Sequence, residues 1–382
     1  MKRAQKILSK KASGDGITGS ALLVSLTIIL FIALLGLAST PALANGHGWH
    51  FKHSRQKHHL QPRACSETAS AVFIACQNGN EDDYWIAKAN CYNSPKEDQA
   101  ECFQEAKAEY KDAKAECRDQ LEARKDLCDV LGEAPYNPDL DPADFVDDPT
   151  TINAGTANPY WPLVPGYKWT YKTRVYDEMG NPGPVIETNT VEVTHDTVMI
   201  EGIKCIVVRD IVYEGDQPDP PDPAALSEDT YDWYAQKHDR TVWYMGEFSL
   251  AKEAEGLFAD DGSWQAGFDG GEGGVIMFGD PSAVDDGTVY RQELYVGEAE
   301  DAAQKIQISN DPVTVLYTPG VDTTFNENVL KNYEFSVLEP GVGENKYYAP
   351  GWGLLVEEAL EDGDPTGERN ELWDTNFTPV VP

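Results

Sequence analysis

Residues 64–133 read ACSETASAVFIACQNGNEDDYWIAKANCYNSPKEDQAECFQEAKAEYKDAKAECRDQLEARKDLCDVLGE. Six of the seven cysteines lie here, at Cys65, Cys76, Cys91, Cys102, Cys117 and Cys128, with intervals of 11, 15, 11, 15 and 11. The series mirrors itself about a point between Lys96 and Glu97. The stretch is rich in Ala, Glu, Lys and Gln, which favour helix, and from Lys96 to Leu131 it has no Pro or Gly. Ser94, Pro95 and Glu97 have the spacing of a helix start, with Ser94 as N-cap, Pro95 at the first position and Glu97 completing a capping box. Gly132 marks the stop. Upstream, Ala64 to Tyr92 reads as helix with an expected break at Asn78-Gly79-Asn80.

Two helices joined near residues 92–95 form an antiparallel hairpin, in which positions equidistant from the turn face each other. Steps of 11 and 15 rotate by roughly 20° and 60° around a helix, so each arm keeps its three sulfurs on one broad face. The expectation is a nested ladder of Cys91 with Cys102, Cys76 with Cys117 and Cys65 with Cys128. A bridge within one straight arm is excluded, since 11 residues rise about 16 Å and bridged Cα atoms lie within about 7 Å. A direct 26-residue repeat gives the same intervals but does not require the mirror point to fall at a turn. Zinc ligation would need close cysteine pairs, and haem attachment a Cys-x-x-Cys-His, neither of which occurs. Three bridges suit an exported hairpin too thin to bury a core of its own.

Export is written at the N-terminus. Lys2, Arg3, Lys6, Lys10 and Lys11 precede an apolar run from Ala21 to Ala38, followed by Pro41 and Ala42-Leu43-Ala44. That is the order of a cleavable secretory signal over 1–44. An uncleaved run would instead be a membrane anchor. Residues 45–63 have no apolar periodicity and hold five of the seven histidines, so they read as a flexible tail. Beyond residue 64 there are 21 basic against 64 acidic residues, a net charge of −43. A surface of that sign excludes nucleic acid as a partner, because phosphate binding needs basic groups.

Residues 134–157 read as a linker and 158–382 as a β-rich domain. Tyr167 to Thr173, Val191 to Thr194 and Thr288 to Tyr295 alternate apolar or aromatic with polar residues, the period of a half-buried strand. Ten to thirteen strands punctuated by Gly, Pro, Asp and Asn, with no long helix, predict a mostly antiparallel curved or barrel-like sheet. The fold class is therefore α+β, a stapled helical hairpin followed by a large β domain. Cys205, in the apolar run 203–208, reads as a buried free thiol.

Chemistry is less explicit. Cleavage after Ala44 exposes Asn45-Gly46-His47, whose α-amine, two amides and imidazole can surround Cu(II) or Ni(II) in a square plane. This resembles the amino-terminal copper and nickel binding motif, and His50, His53, His58 and His59 could hold further metal; the alternative is an ordinary solvated tail. No cofactor is required. Asp232-Trp233-Tyr234 and Trp243-Tyr244 flank a turn at Lys237 to Arg240, and their rings either fill a core, stack on sugars or line an apolar cavity. His195 and His238 sit in no nucleophile or metalloprotease motif, so no catalytic residue is assigned and a secreted hydrolase is the weakest alternative. Asp362 to Gly367 begins like a calcium loop but has Trp373 at the twelfth position, and reads as a hairpin turn.

Three segments, Asn158-Pro-Tyr-Trp-Pro-Leu-Val-Pro-Gly166, Glu228-Asp-Thr-Tyr-Asp-Trp-Tyr-Ala-Gln236 and Lys346-Tyr-Tyr-Ala-Pro-Gly351, resemble those of a class of secreted bacterial proteins without an established activity. The resemblance implies export and fold and carries no catalytic residue. The functions that remain are a non-catalytic exported binding or surface protein with a small-molecule, carbohydrate or surface partner, and extracytoplasmic copper or nickel binding by the tail. The location is secreted, periplasmic or at the cell surface, with a membrane involved only if the signal is retained.

Overall fold

The computed structural model describes residues 63–252, 257–260, 262–317 and 321–380. The expected signal over 1–44 and residues 45–62 of the expected histidine tail lie outside them. Two helices open the described chain, α1 (Ala64–Asn93) and α2 (Gln99–Leu131). Disulfides join Cys91 to Cys102, Cys76 to Cys117 and Cys65 to Cys128, with Cα–Cα distances of 5.5, 5.9 and 5.7 Å. The bridges are nested about the turn.

Two local expectations fail. The helix runs unbroken through Asn78-Gly79-Asn80. A mid-helix glycine costs only about 1 kcal/mol, and here the Cys76–Cys117 bridge and an Asn80 Nδ2 bond to Cys117 Sγ at 2.9 Å hold the segment to its partner. Ser94 does not cap α2. It ends α1, its hydroxyl donates to the Asn90 carbonyl, and α2 begins five residues later, at Gln99 behind Asp98. The short Cys91–Cys102 loop needs residues 95–98 for its turn, so the helix starts late. Gly132 closes α2 with φ 91°, its N–H donating to the Cys128 carbonyl.

The strands are β1 (Lys168–Tyr176), β2 (Pro182–Ile200), β3 (Ile203–Glu214), β4 (Leu226–Gln236), β5 (Val242–Lys252), β6 (Phe258–Ala259), β7 (Trp264–Gln265), β8 (Glu272–Met277), β9 (Val289–Arg291), β10 (Glu293–Leu294), β11 (Asp301–Ser309), β12 (Val313–Tyr317), β13 (Val321–Phe325), β14 (Val329–Ser336), β15 (Val342–Ala349), β16 (Gly353–Glu361) and β17 (Asp364–Thr375). Seventeen strands among the described residues exceed the expected ten to thirteen because several are two-residue pieces too short to show a period. All strand pairings among the described residues are antiparallel, and the main sheet runs β10-β8-β5-β4-β3-β2-β1-β17-β16-β15-β14-β11-β9. Its two ends are one stretch of chain. β9 pairs with β11 while β10 pairs with β8, and only Gln292 separates them. The two ends of the sheet are thereby brought together into a nearly closed barrel, which leaves little free edge. At the seam Gly274 meets the Gln292 backbone so closely that an added Cβ would lie 2.3 Å from its carbonyl carbon.

The hairpin docks on this barrel. Arg124 and Glu300, 5% and 3% exposed, form a bidentate pair, with Nη2 to Oε1 at 2.7 Å and Nε to Oε2 at 3.0 Å. Gln120 donates to the Leu338 carbonyl, and Leu127 packs with Ala302 and Val337. Residues 134–157 also pack, with Phe145 and Ile152 buried and the Val146 N–H donating to the Gln236 carbonyl.

Candidate functional site: the barrel cavity

A strand exposes alternate residues to each face, so the barrel interior receives Val208 and Asp210 from β3, Asp232 and Tyr234 from β4, and Lys346 from β15. Across one end lies the segment 158–163. Asn158 organises it: fully buried, its Oδ1 accepts from the Tyr160 and Trp161 N–H groups, and its Nδ2 donates to the carbonyls of Arg240 and Phe278. Its own N–H donates to Gln236 Oε1. Thus anchored, Trp161 reaches inward, edge-on to Tyr234 at 5.5 Å and tilted against Tyr348 at 6.0 Å.

Beneath this cap the barrel is not filled. A cavity of about 250 Å³ remains. One wall is apolar and aromatic, built from Trp161, Leu163, Trp169, Val191, Val193 and Ile276. Asp210, Asp232, Glu334 and Glu357 line it too, Asp210 as the cross-strand neighbour of Val191, with Lys346 the one cation. A second hollow of about 230 Å³ shares Asn189, Glu357 and Asn370 with the first, and is lined by Glu187, Glu228, Glu344 and Glu368 with no cation.

The charges fall into two groups. Lys346 Nζ lies 3.2, 3.3 and 3.1 Å from Glu334, Glu344 and Glu357. Burial opposes its charge, yet the three carboxylates together hold its pKa well above the ordinary lysine value. Burial likewise opposes the charge on Glu357, but Lys346 and the Asn370 amide outweigh it and leave this acid below the usual range. Asp210 and Asp232 form the other group. Burial raises both, and the neighbouring acids add to it: Asp232, Glu228 and Glu357 around Asp210, Glu247 and Glu228 around Asp232, which is pushed up to about 8.

Hydrogen-bond geometry agrees. The Tyr244 hydroxyl lies 2.7 Å from Asp232 Oδ1 and 3.0 Å from Glu247 Oε2. A hydroxyl has one proton to donate, so both contacts are hydrogen bonds only if one carboxyl is itself protonated and donates to Tyr244.

Of the residues singled out from sequence, Tyr234 and Tyr244 line the cavity and belong to the buried core at once. Asp232 stands with them. The three segments behind the family resemblance converge here through Trp161, Asp232, Tyr234 and Lys346, although they are far apart in the chain. His195 and His238 are exposed and away from the cavity. Cys205 is a fully buried free thiol in β3, pushed up to about 12 by burial. Among the described residues no group of three or more His, Cys, Asp or Glu is arranged to hold a metal ion. Asn45, Gly46, His47, His50, His53, His58 and His59 lie outside them. Sequence reading missed Asp210, Glu334 and Glu357. Asp210 did leave a signal, an acid in the same parity as Ile206, Val208 and Val212 on β3.

No protein-family model matches the chain, and no curated protein does. Two solved structures share a distant likeness. One is a "putative exported protein with YmcC-like fold" from Bacteroides fragilis NCTC 9343, 10% identical with a TM-score of 0.31, covering 58% of this chain and 100% of that one. The other is a "putative lipoprotein" from Parabacteroides distasonis ATCC 8503, 11% identical with a TM-score of 0.31, covering 58% of this chain and 99% of that one.

Proposed function

We propose that this is an exported, non-catalytic binding protein whose barrel cavity receives a small ligand with an apolar body. Export is supported by the signal-like order of residues 1–44 and by three disulfides, which persist in oxidising compartments. The observation that carries the binding reading is the unfilled cavity with aromatic rings on its wall. Protein interiors are ordinarily packed to crystal density, and concave, largely apolar clefts with a few convergent polar groups are where small molecules bind. Transfer of ~200 Å² of apolar ligand surface at ~25 cal/mol per Å² supplies ~5 kcal/mol, a Kd on the order of a few hundred micromolar before polar contacts.

Catalysis has less support. The one free thiol among the described residues is buried and protonated, and neither histidine of the barrel reaches the cavity.

The test uses the processed protein and the neutral fluorophore N-phenyl-1-naphthylamine. Saturable enhancement at one site per chain is expected, weakened at least tenfold in Val191→Phe, which fills the cavity without adding charge. Enhancement that does not saturate, or that Val191→Phe leaves unchanged, refutes the reading. Displacement of the dye by neutral sugars would make the ligand a carbohydrate.

A further inference from the structure

We infer, building on the cavity reading above, that the ligand is an organic cation: an ammonium group on an apolar or aromatic body, with Asp210 and Asp232 as its counter-ions. Four carboxyl groups line the cavity against one cation, and the adjoining hollow adds four more acids and no cation. Lys346 cannot serve the aspartates, because Glu334, Glu344 and Glu357 already surround it within 3.3 Å. Asp232 is 8% exposed, its Oδ1 accepts from the Tyr244 hydroxyl, and it lines the cavity. Asp210 accepts from the Asn189 amide. Both therefore line the cavity with acceptor capacity and no cationic partner.

The aromatic lining suits the same guest. Trp161, Trp169, Tyr171, Tyr234 and Tyr244 line the cavity, and aromatic faces attract ammonium groups, most strongly when water is excluded. An anionic ligand would meet eight acids, and a neutral one would leave the aspartates to be neutralised by a proton.

In the empty site a proton shared with Tyr244 and Glu247 does the neutralising. A cation replaces it: the protonated aspartic acid and the ligand cation give an aspartate–ammonium pair and one proton released to buffer. Glu228, Glu247 and Glu357 face the same aspartates; the field of the bound cation acts on that whole cluster, so the proton goes to buffer rather than to a neighbouring carboxyl.

The experiment compares two probes of equal shape, benzyltrimethylammonium and its uncharged carbon analogue neopentylbenzene, by calorimetry and by displacement of N-phenyl-1-naphthylamine. The cation is expected to bind at least tenfold tighter at pH 8, to release close to one proton per site at pH 7 in buffers of different ionisation enthalpy, and to weaken as pH falls to 6. Asp232→Asn, which keeps an acceptor for Tyr244, should bring the two probes within threefold of each other. Should that variant fail to fold, the probe ratio and proton count on the unaltered protein decide. Equal binding of the two probes, or no proton release, overturns the inference while the cavity reading stands. If neither probe nor the dye binds, both fall. Displacement of the cation but not the dye by millimolar Ca²⁺ would make the acids a metal site and also overturn it.

Discussion

Asp232→Asn should change how stability depends on pH, and the direction follows from the barrel interior. Asp232 sits among Glu247 and Glu228 in the barrel and is pushed from 3.8 to about 8. A carboxyl raised on folding favours the fold in its neutral form. Its contribution is fully present below the unfolded pKa near 4 and is lost as pH rises through about 8. At ~1.4 kcal/mol per pH unit the ceiling is ~6 kcal/mol. Water in the cavity and the proton shared with Glu247 reduce this, and ~2 kcal/mol is expected. Glu357, held low, has the opposite sign, its contribution being lost only as pH falls below its ordinary range. Both proteins share that acid limb. Urea denaturation of the processed, disulfide-intact protein at pH 4.5, 6.5 and 8.5 is the assay. The variant should match the unaltered protein within ~0.5 kcal/mol at pH 4.5 and exceed it by ~2 kcal/mol at pH 8.5, since asparagine has no charge to bury and still accepts from Tyr244. Parallel curves, or a deficit in the variant that grows with pH, would refute the claim that Asp232 is folded as the neutral acid.

Arg124→Met strands Glu300 in the hairpin–barrel interface, and breaking a buried pair costs ~3–5 kcal/mol; hydrogen exchange should show α2 opening around Gln120 to Leu131, and Arg124→Met with Glu300→Leu should recover most of the loss. Asn158→Ala removes four side-chain hydrogen bonds from a fully buried position and should cost ~3 kcal/mol while loosening the cap, read as both a lower urea midpoint and weaker dye binding. For the tail, Cu(II) titration of a chain beginning at Asn45 should give one tight site that is lost when a residue is added ahead of it. Equal affinity of the two chains would remove Asn45-Gly46-His47 as a metal site.

Much of the architecture was legible because its signals are local or symmetric. The mirror series of cysteines needs only the helical rise and the reach of a disulfide to become a nested ladder, and period-2 alternation over Tyr167 to Thr173 identifies β1 without knowledge of its neighbours. Local signals also misled. Gly79 reads as a break and Ser94 as a cap only while the bridges beside them are ignored; with Cys76 and Cys91 tied across, the helix spans the glycine and the turn takes the residues that would have begun α2.

The sequence by itself determined the stapled hairpin, the antiparallel β class, and the aromatic and acidic residue types that any site would have to use. Only the tertiary structure decided that β9 and β10 close the sheet upon itself, and that Trp161, Asp210, Asp232 and Lys346 meet in one unfilled space. The physical reason is closure: strand pairing between residues tens of positions apart leaves no trace in local periodicity, yet it is what turns scattered carboxyl groups into a buried cluster with one cation among them.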